Sequence, residues 1–220
     1  MRSPFTADLF DVAPRPPGVE SIGPRALLLR GHALDAAPGL RGALDDILHA
    51  APWRRLLTPG GRPFSVEMTN CGPRGWISDR AGYRYSDTDP ATGKPWPAMP
   101  ATWFTLAQRA AAAAGYLGFE PDACLVNRYA PGASMGLHQD RDERDADAPI
   151  VSVSLGLPAT FLFGGPERSD PARRLPLEHG DIVVWGGPSR LYFHGVARVP
   201  EGTHDFAGRC RINLTFRRAA

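Results

Sequence analysis

The sequence is short of lysine, of paired cysteines, of long apolar runs and of net charge, and each shortage narrows what the protein can be. Cys71, Cys124 and Cys210 are odd in number, widely separated and without a CxxC pair. That leaves neither a disulfide framework nor a zinc ribbon, and it fits a reducing compartment. No apolar run reaches the roughly eighteen residues that would span a bilayer, and Met1 to Gly18 has no apolar core of signal-peptide length. These absences lead us to expect a soluble, cytoplasmic monomer with no membrane partner. The net charge is +2 and the isoelectric point about 8.6, which permits weak attraction to phosphate without indicating a nucleic-acid partner. Lys94 is the only lysine. Arginine suits bidentate contacts, but a GC-rich coding sequence explains its dominance more simply than phosphate recognition does.

What is present describes a globular chain. At 220 residues and 43% hydrophobic it can bury a core, and residues 1–220 are read as one domain. Twenty-three prolines and twenty-four glycines favour many short elements joined by turns over a helical bundle. Residues 1–24 are Pro-rich and aperiodic, and read as an extended arm whose Leu9 and Phe10 dock on the domain. Leu40, Leu44, Ile47 and Leu48 predict a helix over Pro38–Ala51, and Pro100–Gly115 is an alanine-rich second helix. From Cys124 onward the texture changes to short runs: Cys124–Tyr129, Ile150–Leu157, Thr160–Phe163, Asp181–Trp185, Leu191–His194 and Arg209–Arg217. These are predicted strands. The fold class is mainly β with flanking helices (α+β), a double-stranded β-helix or jelly roll over residues 123–217.

His138-Gln139-Asp140 puts an imidazole and a carboxylate two residues apart, on one face of an extended chain. With His194 from a distant strand they form two histidines and a carboxylate, the facial triad that leaves three cis positions open on Fe(II) for a chelating co-substrate and O2. Taken alone, an H-x-D pair reads more simply as polar residues at a strand end. His32, His49 and His204 stand alone, and His179 reads as a turn residue.

The segment Arg211-Ile212-Asn213-Leu214-Thr215-Phe216-Arg217 alternates strictly. An edge strand with its polar face in water would account for it. If the polar face instead lines an interior, two unpaired guanidinium groups demand a buried dianion. 2-Oxoglutarate is such a dianion, with one carboxylate for the metal and one for a guanidinium fork. Asn127 and Tyr129 share a face of their strand and can reach the same co-substrate.

With Asn127-Arg128-Tyr129, His138-Gln139-Asp140, His194 and Arg211-x-Asn213-x-Thr215-x-Arg217 in place, the chain resembles the AlkB family of Fe(II)/2-oxoglutarate-dependent nucleic-acid dealkylases over roughly Met68 to Arg217. Met68–Gly72, Lys94–Pro97, Pro149–Pro158 and His179–Gly187 share the likeness. The resemblance implies iron on His138, Asp140 and His194. It also implies 2-oxoglutarate on Asn127, Tyr129, Arg211, Asn213 and Arg217, with Arg211 at the distal carboxylate and Arg217 near the metal. The chemistry it implies is hydroxylation of an N-alkyl carbon, with release of an aldehyde, succinate and CO2. The implied substrate is alkylated DNA, single-stranded in preference, carrying bases such as 1-methyladenine or 3-methylcytosine, with RNA left open.

Phe64–Ser86 resembles the family's nucleotide-recognition lid, a β-hairpin. Within it Trp76 and Tyr83 are expected to stack on an extruded base; packing of Trp76 under its own hairpin is the plainer alternative. Asp142 is expected at the pocket mouth, where it suits a cationic base, and Arg168 at the nucleotide backbone, though a solvated arginine fits its polar loop equally well. The arm before Ser21 and the loop Arg141–Asp147 match no family pattern. Two other functions compete: the same chemistry on a small molecule or protein side chain, and a silent jelly-roll binding module. The intact triad and the two arginines argue against the second.

Overall fold

Leu40, Leu44 and Ile47 recur at the spacing of one helical face, and in the computed structural model, which describes residues 17–220, they are buried along α1 (Ala37–Ala50). Pro38 sits in its first turn, where a missing N–H costs nothing, and Pro52 follows its end. The second helix, α2 (Ala101–Ala113), buries Trp103, Leu106, Ala107, Ala110 and Ala111. The strands, in chain order, are β1 (Gly18–Gly23), β2 (Ala26–Arg30), β3 (Glu67–Cys71), β4 (Gly75–Asp79), β5 (Gly82–Ser86), β6 (Ala123–Tyr129) and β7 (Met135–His138). After these come β8 (Ile150–Gly156), β9 (Ala159–Phe163), β10 (Arg173–Leu177), β11 (Ile182–Trp185), β12 (His194–Val196) and β13 (Arg211–Arg217).

All strand pairs are antiparallel. A seven-stranded sheet runs β1-β2-β11-β8-β13-β6-β3, a four-stranded sheet runs β10-β9-β12-β7, and β4-β5 form a separate hairpin. One apolar cluster joins α1 and α2 to the outer face of the large sheet through Val151, Val153, Leu155, Ile212, Leu214 and Phe216. A second fills the space between the sheets with Ile150, Val183 and Trp185 from one and Phe161, Phe163, Leu175 and Val196 from the other. This is the jelly-roll sandwich with helices packed outside. Trp103 meets Phe216 edge to face at 6.4 Å across the helix–sheet layer, so truncating Phe216 to alanine should cost about 3–5 kcal/mol.

Several sequence expectations change in detail. Arg211–Arg217 is no edge strand: it lies between β8 and β6 and is buried along its whole length. Its apolar face meets the helices and its polar face lines the sandwich. Leu191–His194 is not a strand. Leu191 closes a turn, Tyr192 and Phe193 are irregular, with Phe193 bonded through its backbone to Gly164 and Gly165, and His194 opens β12 instead of closing an aromatic strand. Part of the stretch expected to be an extended arm is the edge hairpin partner of β2, residues 18–23; Leu9 and Phe10 lie outside the described residues. Of the stretch 64–86, residues 67–71 belong to the large sheet and only 75–86 form the hairpin. Among the described residues, no helix is long and apolar enough to cross a membrane.

Candidate metal centre and active-site cavity

The register of the small sheet sets two histidines side by side. His138 ends β7 and is the direct cross-strand partner of His194 on β12, with ring centroids 4.4 Å apart. Gly195 is required for this closeness, because a Cβ there would lie 2.7 Å from the Met135 carbonyl oxygen on β7. Each imidazole is oriented by a backbone carbonyl: Nδ1 of His138 donates to Gly136 O and Nδ1 of His194 to Tyr192 O, both at 2.9 Å. A carbonyl can only accept, so Nε2 of each ring keeps its lone pair for a metal. Asp140 stands just past β7, with Oδ1 3.6 Å from His138 Nε2 and Oδ2 3.8 Å from His194 Nε2. The ligand atoms of the three residues lie within 4.8 Å of one another.

The electrostatics keep Asp140 ionised. Burial alone would raise its pKa, but the Arg217 guanidinium and the two imidazoles outweigh this and hold it well below the usual carboxylate range. Burial, together with His138, lowers His194 to about 4, so its ring is neutral and available at neutral pH. Phe161 and Trp185 close over His194, with ring centroids at 6.0 and 4.9 Å.

Around this trio lies a cavity of about 650 Å³, and every site residue expected from sequence lines it. The polar face of β13 forms its floor. Arg217 donates Nε and Nη2 to Asp140 Oδ2 at 2.9 and 2.6 Å. Asn213 is fully engaged, giving Nδ2 to Ser152 Oγ and Val153 O and taking Thr215 Oγ1 on its oxygen. Among the described residues, Arg211, 1% exposed, makes one hydrogen bond, Nη2 to Ser154 Oγ at 2.9 Å, and its Nε and Nη1 have no partner. Burial lowers its pKa. The Asn127 carboxamide oxygen is likewise buried and unpartnered.

The mouth of the cavity is aromatic and acidic. Trp76 on β4 stacks on Tyr83 of β5, centroids 5.5 Å apart and planes at 18°, and its Nε1 donates to Asp142 Oδ2 at 2.9 Å. The alternative that Trp76 packs under its own hairpin is therefore half right: it stacks within the hairpin and still faces the cavity. Arg168 is exposed, yet it donates to Leu137 O at 2.8 Å and sits over the Phe193 ring at the rim.

Sequence reasoning missed a second layer. Glu143, from the loop that matched no pattern, has a side chain only 2% exposed and pairs with Arg190 at 3.0 Å and with Arg217 at 3.3 Å. It also accepts the Tyr85 hydroxyl from β5. Arg190 in turn donates to the Asp140 carbonyl at 2.6 Å. No local signal separates Glu143 from Asp142, Asp145 or Asp147. Ser152 and Ser154 had one: the alternation through Ile150-Val151-Ser152-Val153-Ser154 places both on the same face of β8 as Ile150.

Comparison with known proteins decides the family. The model of the 2OG-Fe(II) oxygenase superfamily matches residues 29–217. The alpha-ketoglutarate-dependent dioxygenase AlkB of Escherichia coli (strain K12) is 56% identical over 212 residues, covering 96% of this chain and 97% of that protein. The chain belongs to the AlkB family of 2OG-Fe(II) oxygenases. More distantly, the mouse nucleic acid dioxygenase ALKBH1 is 34% identical over 148 residues, covering 63% of this chain and 38% of that one. The solved structure of OsALKBH1 superposes with a TM-score of 0.79 at 30% identity, covering 91% of this chain and all of that one. An AlkB-family enzyme uses Fe(II), 2-oxoglutarate and O2, and the residues fit that set. The His-Asp-His trio supplies the donors of a facial triad. The orphaned Arg211 donors supply an anion site.

Proposed function

We propose that this chain removes alkyl groups oxidatively from N-alkylated bases such as 1-methyladenine and 3-methylcytosine in DNA, preferring single strands, with RNA as a further substrate. The observation that carries this reading is the Trp76–Asp142 hydrogen bond at the mouth of the cavity that holds His138, Asp140 and His194. A flat aromatic face beside a carboxylate suits a methylated base that carries a fixed positive charge. A small-molecule or peptide substrate gives no reason for that pairing, and a silent module gives none for the metal trio. Methylation on the Watson–Crick edge has already broken the base pair, so such a base leaves the stack at low cost.

The protein's part is binding and orientation. His138, Asp140 and His194 would hold Fe(II). Arg211 would hold the distal carboxylate of 2-oxoglutarate through its unpartnered Nε and Nη1, and Tyr129 and Asn127 line the same end. Arg217, beside Asp140, would meet the metal-proximal carboxylate. Asn213 is saturated by its strand neighbours, so it can serve 2-oxoglutarate only by exchanging one of those bonds. When bound, Fe(II) with 2-oxoglutarate and O2 supplies the oxidation that inserts one oxygen atom into a C–H bond of the alkyl group and one into succinate, with loss of CO2. The hydroxylated alkyl group then leaves the ring nitrogen as an aldehyde. Trp76, Tyr83 and Asp142 hold the base over the metal trio, and Arg168 stands at the rim for its backbone. Free Cys71, Cys124 and Cys210 fit a monomer of the reducing cytoplasm.

The test is mass spectrometry of methylated DNA and RNA oligonucleotides incubated with the enzyme, iron, ascorbate and 2-oxoglutarate. Loss of the methyl mass supports the reading. 2-Oxoglutarate consumption with every oligonucleotide unchanged would overturn it.

A further inference from the structure

Behind the hairpin, separate from the main cavity, lies a second groove of about 380 Å³ lined by Arg74, Tyr83, Arg84, Tyr85, Asp142 and Arg144, with the backbone of residues 219 and 220 at its end. It shares Tyr83 and Asp142 with the main cavity, so the two meet at the stacked Trp76–Tyr83 pair. Its three arginines differ. Arg84 is held bidentately by Asp79 at 2.9 and 2.7 Å and is neutralised within the hairpin. Arg74 is half-buried and Arg144 exposed, and among the described residues neither guanidinium has an ion pair or hydrogen bond. Their backbones are fixed all the same: Arg74 N donates to Asp122 O at 3.0 Å and Arg144 N to Ala219 O at 3.2 Å. Among the described residues, the one side-chain carboxylate in the lining is Asp142, which accepts the Trp76 indole N–H and makes no ion pair with Arg74 or Arg144.

Two uncommitted guanidinium groups on a fixed backbone, next to two tyrosines, form a site for an oxyanion with an aromatic neighbour. We propose that this groove binds the sugar–phosphate backbone of the strand that delivers the alkylated base, Arg74 and Arg144 each taking a phosphodiester and Tyr83 separating the base in the cavity from the strand in the groove. The inference rests on the nucleic-acid reading above. It adds to that reading a strand path that runs over the hairpin towards the 141–147 loop. Because each phosphate contact releases counterions, the contribution of these arginines fades with salt, whereas stacking on Trp76 does not.

The experiment measures fluorescence anisotropy of a labelled, unmethylated oligothymidylate on the full-length enzyme across a salt series, for the parent, Arg74→Ala, Arg144→Ala and the double variant. The double variant should bind roughly tenfold more weakly at low salt. The slope of log affinity on log salt should flatten by about 0.7 for each arginine removed. Arg84→Ala should change neither, and a free methylated nucleoside, which carries no phosphate, should be turned over equally by all variants. Parental affinity and salt slope in the double variant would overturn the proposal, as would a parent that binds no oligonucleotide. An equal loss on the free nucleoside would also overturn it, since the arginines would then be acting on the cavity itself. A parent that binds the oligonucleotide in this salt-dependent way but demethylates none would sink the substrate reading and leave the groove standing.

Discussion

The Arg211 guanidinium lies over the Tyr129 ring, 5.0 Å from its centroid, with two of its three nitrogens unpartnered in a buried cavity. Arg217, on the same strand face, is the opposite case: Asp140 and Glu143 surround it, and Asp140, Tyr85 and Glu143 raise its pKa despite burial. The expectation that both arginines demand a ligand therefore divides. Asp140 and Glu143 balance Arg190 and Arg217, so among the described residues of the cavity Arg211 is left as the uncompensated buried cation.

Removing that charge should have opposite effects on stability and function. Arg211→Met should raise the melting temperature of the ligand-free protein, because an unpaired buried cation is lost, and should abolish the stabilisation that added 2-oxoglutarate gives the parent. Arg211→Lys should keep turnover but raise the KM for 2-oxoglutarate by about one to two orders of magnitude, since an ammonium cannot reproduce the fork. Thermal melts with and without 2-oxoglutarate check the first claim and steady-state kinetics the second; an unchanged KM would remove Arg211 from the co-substrate site.

On the proposed reading, Trp76 and Asp142 set the preference for cationic over neutral bases. Asp142→Asn keeps a hydrogen-bond acceptor for the indole but removes the negative charge. It should lower initial rates on 1-methyladenine and 3-methylcytosine more than on neutral 1-methylguanine and 3-methylthymine. Equal losses on matched single-stranded oligonucleotides would contradict the electrostatic account.

Glu143 ties the hairpin to the metal trio through Tyr85, Arg190 and Arg217. Glu143→Gln leaves two buried guanidinium groups undercompensated, which should cost about 3–5 kcal/mol in denaturant unfolding of the metal-free protein. Tyr85→Phe removes one hydrogen bond and should cost only about 1 kcal/mol. Equal costs would mean that the ion pairs contribute little.

His179 and His204 form a second imidazole pair, with centroids 4.6 Å apart, and Gly156 N donates to His179 Nδ1 at 3.0 Å. Burial, with His204 adding to it, lowers the His179 pKa from 6.5 to about 4. Between those values the unfolded chain binds more protons than the folded one, so stability present above pH 6.5 is lost as pH falls towards 4. His194 titrates in the same window. The comparison that isolates His179 is His179→Asn, which should lose less melting temperature than the parent between pH 7 and pH 5, both in chelator.

How much of this was legible in the sequence follows from the range of each signal. The helices showed in the spacing of Leu40, Leu44 and Ile47, and the inner face of β13 in its alternation, because both patterns are local. The jelly-roll class was legible in the succession of short strands after two helices, and the trio because His138, Asp140 and His194 are the residue types that one chemistry requires. Strand β10 was hidden by Pro176, which an edge strand tolerates. The run Leu191-Tyr192-Phe193 read as a strand because aromatics favour one, yet Leu191 ends a turn and regular pairing begins only at His194, opposite His138. Glu143 was invisible because its partners lie 47 and 74 residues away in sequence, and only the closed sandwich brings them together.

On the proposed reading, His138, Asp140 and His194 make one metal centre that oxidises an alkyl group on a base. The most direct measurement incubates the parent and Asp140→Ala with a single-stranded oligonucleotide carrying one 1-methyladenine, with Fe(II), ascorbate and 2-oxoglutarate, and follows methyl loss and succinate by mass spectrometry. The parent should release one succinate for each methyl group removed. Asp140→Ala should release neither while keeping the parental circular dichroism spectrum. Parental rates of methyl loss and succinate release in folded Asp140→Ala would contradict the account.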